Sequence, residues 1–285
     1  MHAKLGCCFL LMGLAAGTAA AQSSPATPDT THIYCSGMVT TEPVPADTYM
    51  ISGEQSNYKV TFAQGDLVYI NKGSTQGVKV GDEYLVMRPV KEHLSNPWFG
   101  WQNSLLRAMG TTYQDLGRLR VIRVQPKVAT AEVVFSCEYM QRGDIVRPFA
   151  ERPAPPMKAS ANFDRFAPAS GRKTAMVVTT KNFGQVAGVQ AIVYVNLGAA
   201  QGVKVGDYFR VFRYQGTRAE SAYQSPGTAY KIYGFGSAPE IYKSDDLPRE
   251  ILGEAIVLRV SPNASTVLVT LSLREIYVGD YIELE

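Results

Sequence analysis

Histidine is scarce in this chain, with three in 285 residues, and there are only four cysteines and two tryptophans. Once an N-terminal export signal is set aside, His32 and His93 are the histidines left, 61 residues apart, with no Cys or His beside either at ligand spacing. A zinc site needs three or four clustered ligands, so no metal is expected. No serine sits in G-x-S-x-G, and a catalytic triad would have to rest on one of those two histidines. The chain also lacks a G-x-x-x-x-G-K-[ST] loop for a nucleotide. "YGFGSAP" at 233–239 holds a G-x-G but does not open a helix. No cofactor and no catalytic residue is therefore expected. Blocks of like charge are missing too, with 28 Lys and Arg against 25 Asp and Glu, which argues against a nucleic-acid surface. Beyond the N-terminus no apolar run nears the roughly 20 residues of a membrane helix.

The N-terminus has the order of a secretory signal. Lys4 supplies a charge, Leu5–Ala16 an apolar stretch, and Ala19-x-Ala21 a small-residue cleavage site ahead of Gln22. Cleavage after Ala21 would leave 264 residues, placed in the periplasm or secreted, with 22–32 as a Ser-, Pro- and Thr-rich disordered leader. In that oxidising setting Cys35 and Cys137 can pair as a disulfide. The alternative makes Cys137 a small buried residue in the alternation Ala131, Val133, Phe135, Cys137.

What the chain does have is a repeat. "QGVKVGD" occurs at 76–82 and again at 201–207. Around it, Asp66–Arg88 aligns without a gap on Ala191–Arg213, with 13 of 23 positions identical at an offset of 125. "LGRLRVIRVQPKVATAEVVFS" from Leu116 then aligns on "LGEAIVLRVSPNASTVLVTLS" from Leu252 at an offset of 136. The change of offset locates one insertion between the blocks, and the chain reads as a tandem duplication. Copy 1 spans 33–149 and copy 2 spans 173–285, joined by a stiff, extended linker at 150–172 within a proline-rich stretch.

Within each copy "LVYIN", "EYLVMR", "RLRVIRV" and "TAEVVFS" are short, β-branched and bounded by Gly, Asp, Asn or Pro, as strands are. Tyr84 and Val86 match Phe209 and Val211 and should face a core, whereas Leu85 matches Arg210 and should face water. The expected fold is all-β: two tandem small β-barrels or sandwiches. In the heptapeptide, Gly77 and Gly81 (Gly202 and Gly206 in copy 2) supply turns around a short "VKV" strand whose valines share a face. Asp82 and Asp207 should accept backbone N–H bonds from residues just after themselves. The pairs Gly143-Asp144 and Gly279-Asp280 repeat that turn grammar. Arg88 with Arg213, and Arg123 with Arg259, recur in both copies and can pair with turn aspartates at a barrel rim.

The frame "YIN-x-G", "QGVKVGD-x-Y-x-V-x-R", "LG-x-x-x-V-x-R-V-x-P" and closing "GD-x-V" resembles the C-terminal domain of flagellar assembly protein T. Similar modules accompany LysM domains in exported bacterial proteins. The resemblance implies an envelope location and assembly, anchoring or protein contact rather than catalysis. Binding residues are expected in the insertions, since loops on a rigid frame carry function. The first holds Trp98, Phe99, Trp101 and Tyr113, with a short helix in "WQNSLLRAM" presenting Trp101, Leu105 and Ala108 on one side. That first insertion spans about 89–115; the second, about 214–251, holds Tyr223, Tyr230, Tyr233 and Phe235. Exposed aromatics suit an envelope protein partner, or stacking on peptidoglycan or another glycan. The structural alternative has Trp98, Phe99 and Trp101 lidding the barrel's open end.

Overall fold

The computed structural model describes residues 26–90, 97–158, 163–215 and 247–285. The stretch expected to be an export signal and Tyr223, Tyr230, Tyr233 and Phe235 lie outside the described residues. Copy 1 carries α1 (Thr30–Tyr34), β1 (Met38–Thr40), β2 (Met50–Gly53), β3 (Thr61–Phe62), β4 (Leu67–Ile70) and β5 (Glu83–Val90). It continues with α2 (Gln102–Met109), β6 (Thr111–Val124), β7 (Ala129–Ser136), β8 (Met140–Gln141) and β9 (Ile145–Pro148). Copy 2 carries β10 (Thr174–Thr180), β11 (Val186–Ala187), β12 (Ile192–Val195) and β13 (Tyr208–Arg213). It ends in β14 (Glu250–Val260), β15 (Ser265–Ser272), β16 (Ile276–Tyr277) and β17 (Tyr281–Leu284).

Copy 2 is a closed six-stranded barrel in the order β10-β12-β15-β14-β13-β17. Copy 1 follows the matching order β2-β4-β7-β6-β5-β9. Its ends meet through the bridge Tyr49↔Ile145 and backbone bonds from Val146 N to Thr48 O (2.8 Å) and Met50 N to Asp144 O (2.9 Å). Even the irregularities repeat. The β6–β7 register slips at Arg118/Leu119 and Val121/Arg123, and β14–β15 slips at the aligned Glu254/Ala255 and Val257/Arg259. At the aligned glycines 117 and 253 a Cβ would overlap the partner strand's carbonyl, of Phe135 and Leu271 respectively. Each barrel is bent at the same place because only glycine lets the strands approach there.

Each residue of the heptapeptide has a local task. The Gln76 side chain accepts the Gly73 N–H (2.9 Å), and Gln201 accepts the Gly198 N–H (2.8 Å), closing a short 3₁₀ turn. Gly77 and Gly202 end that turn in the left-handed region, at φ 84° and 89°. Two expectations need correction. "VKV" is not a strand: Val78 is buried in the barrel while Val80 is 66% exposed, so the valines face opposite ways. The aspartates accept from a residue three positions before them, Lys79 N to Asp82 and Lys204 N to Asp207, both at 2.8 Å. That bond locks the turn whose glycine has positive φ.

The barrels are packed on one another. Ile33 and Val39 of copy 1, with Leu106 and Met109 of α2, form one buried cluster with Val178, Ile192, Tyr194, Ile256, Leu258 and Leu268 of copy 2. Each fully buried aliphatic side chain contributes about 1.5–3 kcal/mol, so apolar burial is a large part of what holds this contact. This explains a difference between the copies. β4 alternates buried and half-buried residues, while its counterpart β12 is buried on both faces.

Beside the cluster, the buried Asp115 of β6 collects Gly37 N (2.9 Å), Arg152 through two bonds (2.8 and 3.0 Å) and Arg259 (3.2 Å). Gly37 precedes barrel 1, Arg152 lies in the proline-rich stretch and Arg259 belongs to barrel 2, so one carboxylate ties three parts of the chain. Burial alone would raise the Asp115 pKa, but the Arg259 charge, then the Arg152 hydrogen bonds and charge, hold it below the usual carboxylate range.

Cys35 and Cys137 are bonded, with Cα atoms 5.5 Å apart and 102 residues between them. The leader expected to be disordered over 22–32 is ordered at its end. Asp29 caps α1 by accepting the His32 N–H (2.8 Å), and Ile33 anchors the helix between the barrels. The polar composition of that stretch hid this anchor. At 163–167 the stretch expected as a stiff, extended spacer packs on barrel 2. Phe163 and Ala167 pack with Phe212 and Ile251, and Ile251 N bonds Arg165 O (2.8 Å).

Candidate functional site

The first insertion crosses to the second barrel. Trp98 N donates to the Gln102 side chain (2.8 Å), and the Gln102 amide donates to Val178 O of β10 (2.8 Å). Gln102 is fully buried, and these two bonds satisfy both ends of its amide. α2 forms where expected, but its buried face is Gln102, Leu106 and Met109 rather than Trp101, Leu105 and Ala108. The docking amide and the long Met109 side chain decide which face turns inward.

Phe99 is 2% exposed and packs with Met176 and Val278 of barrel 2. A Cβ on Gly279 would stand 3.2 Å from its ring, so the closing turn of copy 2 leaves room for it. Phe99 is thus occupied within the chain, a correction to its expected role in binding a partner. Tyr113 is corrected likewise: it is buried with Met87 and Ile145, beneath the β1–β6 pairing. Nor do the insertion aromatics lid their own barrel, since the barrel they cover is the other one.

An aromatic strip remains on barrel 2. Trp101 stands edge-on to Phe99, with ring centroids 6.0 Å apart, and is 47% exposed. Trp98 is half-buried against the Phe99 cluster, which also takes in Tyr281. Tyr281 stacks on Phe212 (5.6 Å) and meets Tyr214 edge-on (5.2 Å). Tyr214 is 44% exposed and stands at the start of the second insertion. The strip therefore runs from the first insertion to the root of the second.

Two ion pairs hold its floor. Arg213 meets Asp280 through two bonds of 2.7 Å and lies 5.0 Å from the Tyr277 ring centroid. Arg249 bonds Glu283 (2.7 and 2.5 Å) and lies over Phe212 at 4.5 Å. Burial would raise the Glu283 pKa, yet the Arg249 hydrogen bond leads the opposing causes and leaves the carboxyl below its ordinary value. Asp280 and Glu283 are thus each paired with an arginine beneath the aromatic rings. The Arg88–Asp144 pair of copy 1 repeats this geometry at 2.7 and 2.8 Å, with Arg88 over Tyr139. Asp144 and Asp280 also accept the N–H three residues back, from Gln141 (2.6 Å) and Tyr277 (2.7 Å). Arg259 instead serves the inter-barrel Asp115, while its counterpart Arg123 is exposed.

A groove of about 460 Å³ runs between the barrels, lined by Met38, Pro43, Pro45, Met87, Arg147 and Pro262 among others. Of the expected binding residues, the structure brings Trp98, Phe99 and Trp101 together on barrel 2 and leaves Tyr113 in the seam of copy 1. It adds Phe212, Tyr214 and Tyr281, which sequence reasoning passed over. Their counterparts in copy 1 are Met87, Pro89 and Ile145. Three aromatics replacing non-aromatic residues in a duplicated frame was the available signal. No known protein family and no curated protein matches the chain.

Proposed function

We propose that this chain is an exported, non-enzymatic bacterial envelope protein, a rigid two-barrel scaffold that contacts a protein partner through the aromatic strip of its second barrel. The observation that carries the reading is the convergence of the first insertion and the root of the second. Residues more than 100 positions apart, Trp101 and Tyr214, reach the same face of one barrel. Aromatic side chains are the groups that most often dominate a protein contact. The export-signal pattern, the disulfide and the motifs resembling the C-terminal domain of flagellar assembly protein T support an envelope location.

A photo-crosslinking residue placed in turn at Trp101, Tyr214 and the exposed Ile122 of barrel 1 tests the reading in cells that export the protein. Trp101 and Tyr214 should trap the same protein while Ile122 does not. Equal trapping at all three positions, or none, would count against the strip. Co-sedimentation with purified peptidoglycan that is lost in Trp101→Ala, without any crosslinked protein, would replace the protein partner by a glycan.

A further inference from the structure

We infer that Thr30–Thr40 is a disulfide-latched strap, and that reducing Cys35–Cys137 uncovers an apolar face of barrel 2 while both barrels stay folded. The strap has little structure of its own. Its helix is five residues long, far below the length at which an isolated helix holds, and its strand makes three pairings, all with β6. The strand order of neither barrel passes through it, so neither closure depends on it.

What holds the strap is divided between the two barrels. On barrel 1 it has the disulfide and the Gly37 N–H to Asp115. Toward barrel 2 its carbonyls accept from Tyr194 (Ser36 O, 2.9 Å) and from Arg259 and Thr266 (Gly37 O, 3.2 and 3.3 Å). Ile33 and Val39 meanwhile cover Tyr194, Ile256, Leu258 and Leu268. In the first barrel the matching outer face is largely charged and needs no strap over it. The counterparts of Ile256, Leu258 and Leu268 there are Arg120, Ile122 and Glu132, and the first two are exposed. Barrel 2 has kept this face apolar and laid the strap over it.

The bond can be reached. Cys137 is half-buried rather than enclosed, and Cys35 lines a cavity of about 290 Å³ beside His32, Lys181 and Gln190. A dithiol reductant would attack Sγ of Cys137, forming a mixed disulfide as the Cys35–Cys137 bond breaks. Cys35 leaves as a thiolate and takes a proton from water. The reductant's second thiol then attacks the mixed disulfide, releasing Cys137 as a thiol and closing the oxidised reductant. Two electrons and two protons pass to the protein. The inference is independent of the partner proposed above.

The test compares the folded, oxidised full chain with the same protein after dithiothreitol, and with a Cys35→Ala/Cys137→Ala variant. Three readouts serve: chymotrypsin cleavage after Tyr34, binding of an apolar dye, and far-ultraviolet circular dichroism. Reduction should raise the cleavage rate at Tyr34 at least about tenfold, since proteolysis follows the population of the opened state. Dye binding should appear and the β signal should stay. Unchanged cleavage and dye binding would overturn the inference by showing a strap held without its latch. Loss of the β signal together with the strap would overturn it differently, making the bond a staple of the whole fold. Treating the folded protein with dithiothreitol keeps the test decisive if the double variant fails to fold.

Discussion

Asp115→Ala is expected to destabilise the chain by about 3–5 kcal/mol, the usual result of removing one partner from a buried ion pair. The Asp115 side chain is fully buried, and Arg152 and Arg259 both point at it. Without the carboxylate two guanidinium groups face each other at the barrel seam, with the carbonyls of Ile33 and Gly37, the Met38 sulfur and the Tyr34 ring to receive them but no negative charge among these. Asp115→Asn should lose most of the same stability, because it keeps the shape and removes the charge. Arg152→Ala should cost less, since Arg259 still neutralises Asp115. Urea unfolding followed by circular dichroism reads all three.

The pH dependence has a definite sign. The folded Asp115 pKa is depressed, so its contribution is complete above the ordinary aspartate value of about 3.9 and is lost as pH falls through the lower folded value. Glu283 adds in the same direction. Wild type should therefore lose stability steeply below about pH 4, and Asp115→Asn should show a shallower decline. Equal acid slopes in the two proteins would remove Asp115 as the acid-sensitive tie.

The repeat made the barrels legible, because strand period, turn glycines and core valines are local properties that two aligned copies report twice. The seam was harder to read. Glu132 facing Leu268 and Arg120 facing Ile256 in the alignment mark an outer surface that is polar in one copy and apolar in the other. An apolar residue at an outward strand position needs a cover, and the cover comes from α1, β1 and α2, distant in sequence. Periodicity could locate α2 but neither the barrel it packs on nor which of its faces, Gln102, Leu106 and Met109, turns inward. Nor does spacing reveal that Asp115, outside every motif, meets two arginines at 37 and 144 residues' separation. Such contacts are set by how the barrels dock, which follows from summed surface complementarity and not from any short pattern.

Phe99→Ala is expected to cost about 3 kcal/mol or somewhat more, as deletion of a buried phenylalanine does, and to loosen the first insertion from the second barrel. The ring is enclosed by Met176 and Val278, with Gly279 kept small beneath it. Little else could fill the space, because the neighbouring backbone belongs to the closing turn fixed by Asp280. The loss should fall on docking first. Gln102 still bonds Val178, but one amide cannot replace the buried ring. Both tryptophans of the chain, Trp98 and Trp101, lie in the loop that Phe99 anchors, so their emission reports the event directly. In Phe99→Ala it should shift to the red and become more accessible to acrylamide. Trp101→Ala is the contrast. Its ring is about half exposed, and removal should change stability by no more than about 0.5 kcal/mol. A Phe99→Ala protein with wild-type stability and emission would mean that the insertion is held to the second barrel by other contacts. The aromatic strip would then not owe its place to this ring.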